Sequence, residues 1–449
     1  MTQATPATAS GGHAGGTDRS PRPGLWWLSP AIIPLVVAAA AILPTAFTSD
    51  ETFRTSWRSP KSVTTDTLLL FACGAAAVAF GALVGIALAR NRSPRTLTGP
   101  WPGLDEETIR LLRRSSTVLT TATVLGYLGF VVLIARAGIS PAELFGGSDA
   151  YGSVALKDRI GTVPGVTTLT QLGIAAVVVS TVTLTQQFSR RELGKIALVI
   201  GLAVPRAYIY SERLALLELV IPVCVIVAMK LSTRRGPPRL IAQTIPVFGM
   251  VVVVALFGLF EYFRSWTFYR AQGATSFVDF AISRFAGYYA TALNNGQLVI
   301  DHLQWPNRWP YDTIEAFWTA PGIENVGLYE RVGGHVPPYN RTDMSPYFDV
   351  LKHYANPEFN NPSGYAAPFV DYGVVGGLAF FLAVGIVAGL LYEFFASGRP
   401  MALLLYPVVF TGLVEMPRYL YWVQGRTTYT WVALLAITVL IAKNTRQRR

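Results

Sequence analysis

The chain has little charge and few side chains suited to holding metals. Asp, Glu, Lys and Arg make up 14% of its 449 residues, roughly half the usual share in a soluble protein. It has two cysteines, Cys73 and Cys224. Both fall in apolar runs and outside any CxxC pattern, so they read as small buried hydrophobes, with no disulfide framework or zinc site. The four histidines, His13, His302, His335 and His353, are scattered, which argues against a histidine-built metal centre. Walker and glycine-rich nucleotide fingerprints are missing as well, and no DxD-type cluster occurs between 264 and 367. No metal and no cofactor is expected. Residues 1–24 are rich in Thr, Ala, Gly, Ser and Pro and lack the apolar core of a signal peptide, which predicts a disordered cytoplasmic tail.

What the chain has in quantity is apolar sequence. Hydrophobic residues make up 51% of it and the mean hydropathy is +0.39. Ten runs approach the length of a membrane-crossing helix, at 26–47, 66–89, 117–135, 165–188, 194–210, 214–231, 241–263, 368–394, 401–416 and 428–442. The expected fold is an all-α polytopic membrane protein of about ten transmembrane helices. Spans 1–7 occupy 25–263, a large loop containing an amphipathic helix occupies 264–367, spans 8–10 occupy 368–442, and a basic tail follows at 443–449.

Lys and Arg bias sets the orientation. With the N-terminus inside, the cytoplasmic segments carry twenty cations and the short opposite loops ten. Both termini are therefore expected in the cytoplasm and the large loop outside, in the plasma membrane. The basic residues flank apolar runs, so the pI of about 9.7 reflects topology; the expected partners are membrane lipids, with no nucleic acid.

Three carboxylates interrupt apolar runs: Glu218, Glu261 and Glu415. All three lie near the outer ends, each with an arginine nearby in sequence: Arg213 before Glu218, Arg264 after Glu261 and Arg418 after Glu415. Local charge neutralisation at i,i+3 spacing is one reading; a functional site confined to one membrane face is the other. Arg206, Arg213, Arg264, Arg418 and Arg426 read equally as snorkelling anchors or as parts of that site. In the loop, 277–303 has helical apolar spacing with Arg284, Tyr288 and Tyr289 at its middle, and suits a helix lying on the membrane or dipping into it. Trp305, Trp309 and Trp318 follow, as interfacial anchors or sugar-stacking surfaces. Asp371 opens the next apolar helix, as a dipole partner or a functional carboxylate. The pairs Gly373/Gly377 and Gly385/Gly389 predict close helix packing.

Three segments carry a family resemblance: the turn Ser211-Glu212-Arg213-Leu214; the helix around Ser283-Arg284-Phe285 and Tyr288-Tyr289; and the Asn-Pro…Phe-Val-Asp-Tyr-Gly-Val-Val-Gly entry at 361–376. In these, and in its overall plan, the chain resembles the oligosaccharide repeat-unit polymerases of the Wzy type, relatives of O-antigen polymerases and ligases with a GT-C-like membrane fold. The ligases typically carry a histidine before the span that follows their large loop. Here Asn361 and Pro362 stand there and the nearest histidine is His353, which favours polymerase over ligase.

The resemblance implies a membrane glycosyltransferase that builds a cell-surface polysaccharide or exopolysaccharide. It would transfer a glycan from a polyprenyl diphosphate onto an incoming lipid-linked oligosaccharide at the outer membrane face, with a flippase and a chain-length regulator as further partners. Arginine suits a diphosphate leaving group through its permanent charge and planar fork. Arg213 and Arg284 are the expected clamps, with Arg206, Arg264, Arg418, Tyr288 and Tyr289 in substrate binding. Asp371, Glu218 and Glu415 are the candidate bases. A lipid-linked glycan transporter is the rival reading, but it would need charge through the whole membrane thickness, and the inner halves of the runs hold almost none.

Overall fold

The computed structural model describes residues 25–92, 101, 103–140, 143, 159–161, 163, 165–209, 213–234, 236–303, 309–320, 322–333 and 346–447. The expected N-terminal tail, Ser211, Glu212, Trp305 and His335 lie outside them. The described residues are helical, with turns and no strand. In chain order the helices are α1 (Ile33–Phe47), α2 (Asp50–Ser56), α3 (Thr65–Arg92), α4 (Glu106–Arg136), α5 (Val166–Gln186), α6 (Arg190–Ile209), α7 (Leu214–Ser232) and α8 (Pro237–Glu261). They continue with α9 (Thr267–Ala271), α10 (Phe277–His302), α11 (Glu315–Trp318), α12 (Leu328–Gly333), α13 (Pro346–Tyr354), α14 (Ala366–Ala396), α15 (Pro400–Glu415) and α16 (Gly425–Arg446).

Seven of these, α3, α4, α5, α7, α8, α14 and α16, are long and apolar enough to cross a membrane, which makes the protein multi-pass. The chain bends by 98° between α1 and α2, and α15 is a shorter apolar helix. α6 carries Arg190, Arg191, Glu192, Lys195 and Arg206 within its length, so composition alone does not qualify it. α8 lies at the periphery: only 11% of its apolar window is buried in the protein, leaving Val247, Phe248, Val251 and Leu259 turned outward as lipid-facing side chains would be. Cys73, expected to be buried, is exposed on α3, while Cys224 is half-buried; in lipid an outward thiol on an apolar helix costs little.

α3 and α14 form the closest helix pair. A Cβ at Gly81 or Gly85 would come 2.2 or 2.1 Å from backbone oxygens of α14, and one at Gly385 or Gly389 would come 2.1 or 2.2 Å from those of α3. Small residues on both faces let the backbones touch, and dispersion between them substitutes for the hydrophobic drive that lipid does not supply. The expected Gly385/Gly389 packing is present. Gly373/Gly377 behave differently: Gly373 has φ +70° and breaks α14 near its start, while Gly377 accommodates the Phe369 ring.

α10 starts where Ser276 accepts the Asp279 amide, with Asp279 itself in the first turn. Arg284, Gly287, Thr291, Asn294 and Leu298 are buried at three- and four-residue spacing, and from Ala290 to Val299 every residue is buried. The helix expected to lie on the membrane or dip into it is therefore docked into the protein along its second half. Its first half leaves Val278 and Ile282 exposed.

Substitution Gly385→Leu is expected to destabilise the detergent-solubilised protein by about 3 kcal/mol, the upper part of the overpacking range, because a Cβ there meets the α3 backbone at 2.1 Å. Gly249→Ala, in open space on α8, should be neutral or stabilising by up to about 1 kcal/mol. Thermal unfolding of the two variants checks the contrast.

Candidate functional site

Charge collects at the two ends of the bundle. At one end Arg90 pairs with Glu393 at 3.3 Å and Lys195 with Glu192 at 2.7 Å. At the other, the start of α7, the end of α8, the middle of α10, the end of α15 and the turn into α16 bring arginines and glutamates together. Glu261, the last residue of α8 and fully buried, pairs with Arg213, and its Oε2 lies 3.4 Å from Arg284 Nε. Arg284, 1% exposed, also pairs with Glu358, and its Nη1 donates to the Tyr269 hydroxyl at 3.4 Å. Tyr269 in turn donates to Glu358 Oε2 at 3.0 Å. Burial, outweighing the pull of Arg284, raises the Tyr269 phenol above its ordinary value, so it stays a neutral donor.

The guanidinium faces are covered by rings. The Arg213 Cζ sits 3.9 Å from the Phe257 ring centre and 5.0 Å from that of Tyr288. Arg284 lies 4.4 Å from Phe359. Tyr288 is also 5.7 Å from the Arg418 Cζ, so one ring lies near both arginines. Arg418 pairs with Glu415 at 2.9 Å and Arg426 with Glu218 at 3.9 Å. Four arginines and four glutamates thus form a charge-balanced cluster. Stacking and in-plane pairing fix the Arg213, Arg284 and Arg418 guanidiniums in two independent ways.

Buried amides hold the surrounding segments. Asn294 Oδ1 accepts the Ser62 and Val63 amides at 2.6 and 2.9 Å, and its Nδ2 donates to the Pro60 carbonyl at 3.0 Å. Asn295 Nδ2 donates to the Phe359 and Asn361 carbonyls. The Asn-Pro-Ser-Gly segment then braces the α15–α16 turn: Ser363 N donates to the Arg418 carbonyl and Gly364 N to the Met416 carbonyl, both at 2.9 Å. Gly364 is required there, because a Cβ would come 2.5 Å from the Tyr419 backbone. Trp57, from the end of the α1–α2 bend, donates to the Ser283 carbonyl at 2.9 Å. A π-helical turn at Tyr262–Trp266 leads from Glu261 into α9.

Most of the residues singled out from sequence meet here, with changed partners. Glu415 and Arg418 pair as their i,i+3 spacing predicts. Glu218, placed beside Arg213 by sequence, instead pairs with Arg426; Glu261, placed beside Arg264, pairs with Arg213 and Arg284. Arg264 lies in the π-helical turn, with its side chain outside what is described. Arg206 donates to Thr170 Oγ1 at 2.9 Å and hydrogen-bonds Tyr127, whose phenol also feels the charge of Glu218. Tyr289 packs on Phe285 with ring centres 5.5 Å apart. His353 is exposed, with Nδ1 2.7 Å from the Asp349 carbonyl of its own helix.

Asp371 stands apart from the cluster. Its Oδ1 accepts the amides of Tyr311 and Asp312, and its Oδ2 accepts the Thr313 amide and hydroxyl. Four donors saturate a carboxylate, so Asp371 anchors the 311–313 turn and is poorly placed to take a substrate proton. Glu358, Tyr269, Phe257, Phe359, Asn294 and Asn295 were not legible as site residues. The one sequence signal for them was polar residues among apolar positions of α10, as in Asn294-Asn295.

Among the described residues no group of three His, Cys, Asp or Glu side chains is arranged to hold a metal ion. No protein-family model, curated protein or solved structure matches the chain.

Glu261→Gln leaves two buried guanidiniums short of counter-charge and is expected to cost about 3–5 kcal/mol. Adding Arg213→Met should recover part of that loss, measured by thermal unfolding of the single and double variants. Asp312 gives a pH-dependent counterpart. Burial, aided by the charges of Asp371 and Glu315, holds its carboxyl well above the ordinary 3.8. A raised carboxyl contributes stability that is full below the unfolded value and lost as pH rises through the folded value. Asp312→Asn should therefore flatten the fall in stability as pH rises above the ordinary carboxylate value of 3.8, by about 1.4 kcal/mol per pH unit of the displacement.

Proposed function

We propose that the protein polymerises polyprenyl-diphosphate-linked oligosaccharide repeat units into a cell-surface polysaccharide at the outer face of the plasma membrane. The observation that carries this reading is the convergence of Arg213, Arg284 and Arg418, from three separate segments, around Tyr288 at one end of the bundle. A transporter would need charge along a path through the bundle; the ion pairs described lie at its two ends.

In this reading the topology has ten spans, with α1, α6 and α15 completing the seven longer helices and both termini cytoplasmic. The segment between α8 and α14 is then extracytoplasmic and covers the site. In the reaction the bond between the sugar C1 and the diphosphate oxygen of the donor breaks. A new bond forms from C1 to an acceptor hydroxyl oxygen, the hydroxyl proton passes to a base, and polyprenyl diphosphate leaves. The bond energy resides in the donor, so no nucleotide is required.

Charge develops on the diphosphate, and Arg213 and Arg284 stabilise it. They are aligned beforehand by Glu261 and by the rings beneath them, so little reorganisation accompanies the reaction. Glu358, on an irregular segment and 20% exposed, is the partner a phosphate oxygen displaces, while the fully buried Glu261 stays. Glu415 and Glu218 are the proposed bases, since Asp371 is saturated by four donors.

Arg213→Ala and Arg284→Ala are each expected to lower the polymerisation rate about 10²–10³-fold per molecule of protein and to abolish long chains, read by gel analysis of cell-surface glycan normalised to protein level. Lys replacements should restore activity in part, because charge returns without the fork. Chain lengths unchanged by all four substitutions would rule out the clamp.

A further inference from the structure

The turn between α15 and α16 holds polar atoms that the ion pairs leave unused. Tyr419 is 4% exposed and Tyr421 fully buried. Neither phenolic hydroxyl has a hydrogen-bond partner among the described residues, and the same is true of Arg418 Nε. The two rings lie 6.3 Å apart. The charged groups around both phenols include Glu218, Glu415 and Arg426, with Arg418 also beside Tyr419. Burying a hydroxyl without a partner costs about 1–3 kcal/mol, and native proteins rarely keep several such groups together unless something completes them.

We infer that Tyr419, Tyr421, Glu218 and Glu415 form a subsite for a polyhydroxylated ring, the sugar of an incoming lipid-linked glycan. The chemistry of the set favours this occupant. Phenols both donate and accept, carboxylates accept from neighbouring hydroxyls, and Arg418 Nε adds a further donor. Arg418 and Arg426 offset the two carboxylates, so the set carries no net charge to draw an anion, whereas a sugar hydroxyl is matched by each group. Arg418 and Arg426, 17% and 26% exposed, are the more exposed members of this group and so mark its way in. The Ser363–Arg418 and Gly364–Met416 hydrogen bonds hold the turn in place, so the phenols are set before the sugar arrives. This inference assigns the acceptor side of the polymerase reading. The orphaned hydroxyls are present whether or not Arg213 and Arg284 clamp a diphosphate.

The test uses the purified full-length protein and the conservative variants Tyr419→Phe, Tyr421→Phe and the double variant, which keep the rings. Binding is measured by tryptophan fluorescence, since Trp422 adjoins the turn, in two separate titrations. One uses methyl glycosides of glucose, galactose, rhamnose and N-acetylglucosamine; the other uses farnesyl diphosphate, which has no sugar. The expected result is that at least one glycoside binds, that each Phe substitution weakens it about tenfold, and that farnesyl diphosphate affinity is unchanged. Without ligand the Phe variants should be as stable as the parent or more so, because an unsatisfied hydroxyl has gone. Glycoside binding unaffected by the double variant, or absent from the parent protein, overturns the subsite whatever farnesyl diphosphate does. So does a loss of ligand-free stability in the Phe variants, which would mean that the hydroxyls serve a structural water. Glycoside binding that depends on the phenols, with no binding of farnesyl diphosphate, supports the subsite while counting against the polymerase reading.

Discussion

The structure depends on how one buried carboxylate is neutralised. Glu261 ends a peripheral apolar helix, fully removed from solvent, where an unpaired charge would be prohibitively expensive. It is held there by guanidiniums from two other elements, Arg213 at the start of α7 and Arg284 in the middle of α10. That requirement draws the ends of α7 and α8 together and fixes the depth at which α10 can sit. Glu358, Tyr269 and Phe359 then follow, because Arg284 needs a second counter-charge and its face needs a ring.

The arginines of the proposed clamp are thereby aligned by the protein's own carboxylates and rings. A bare cluster of four cations would repel itself and be strongly hydrated; the four glutamates remove the repulsion and leave the planar groups in defined orientations. The partners differ in how easily they can be exchanged. Glu261 is inaccessible, whereas Glu358 sits on an irregular segment with some exposure. In the proposed clamp a ligand phosphate would exchange with the outer partner while the inner one keeps the geometry. The amides of Asn294 and Asn295 do the corresponding work for the backbone, tying the segments at 60–63 and 359–361 to α10.

The sequence carried the composition of this site better than its wiring. That Glu218, Glu261 and Glu415 would cluster with arginines at one end followed from their depth in apolar runs, because charge in a span is tolerated only near an end or beside a partner. Glu415–Arg418 was readable as a pair because it lies within one helical turn. Glu261 was not, because Arg264 is equally near in sequence and nothing local shows that the chain winds into a π turn there. Arg426 was left without an acid, because Glu218 reaches it across the bundle. Asp371 was ambiguous for a similar reason: its four donors come from residues about sixty positions away. The spans were legible where length and hydropathy agree, as in α3 and α14, and least so in α6, where five charged residues share an apolar helix.

The most direct test of the functional account is reconstitution of the purified protein in liposomes with a polyprenyl-diphosphate-linked oligosaccharide and no nucleotide. Mass spectrometry would follow both products. The account predicts glycans lengthened by whole repeat units, with one polyprenyl diphosphate released for each unit added. Redistribution of unchanged substrate between the leaflets, with no diphosphate released, would contradict it.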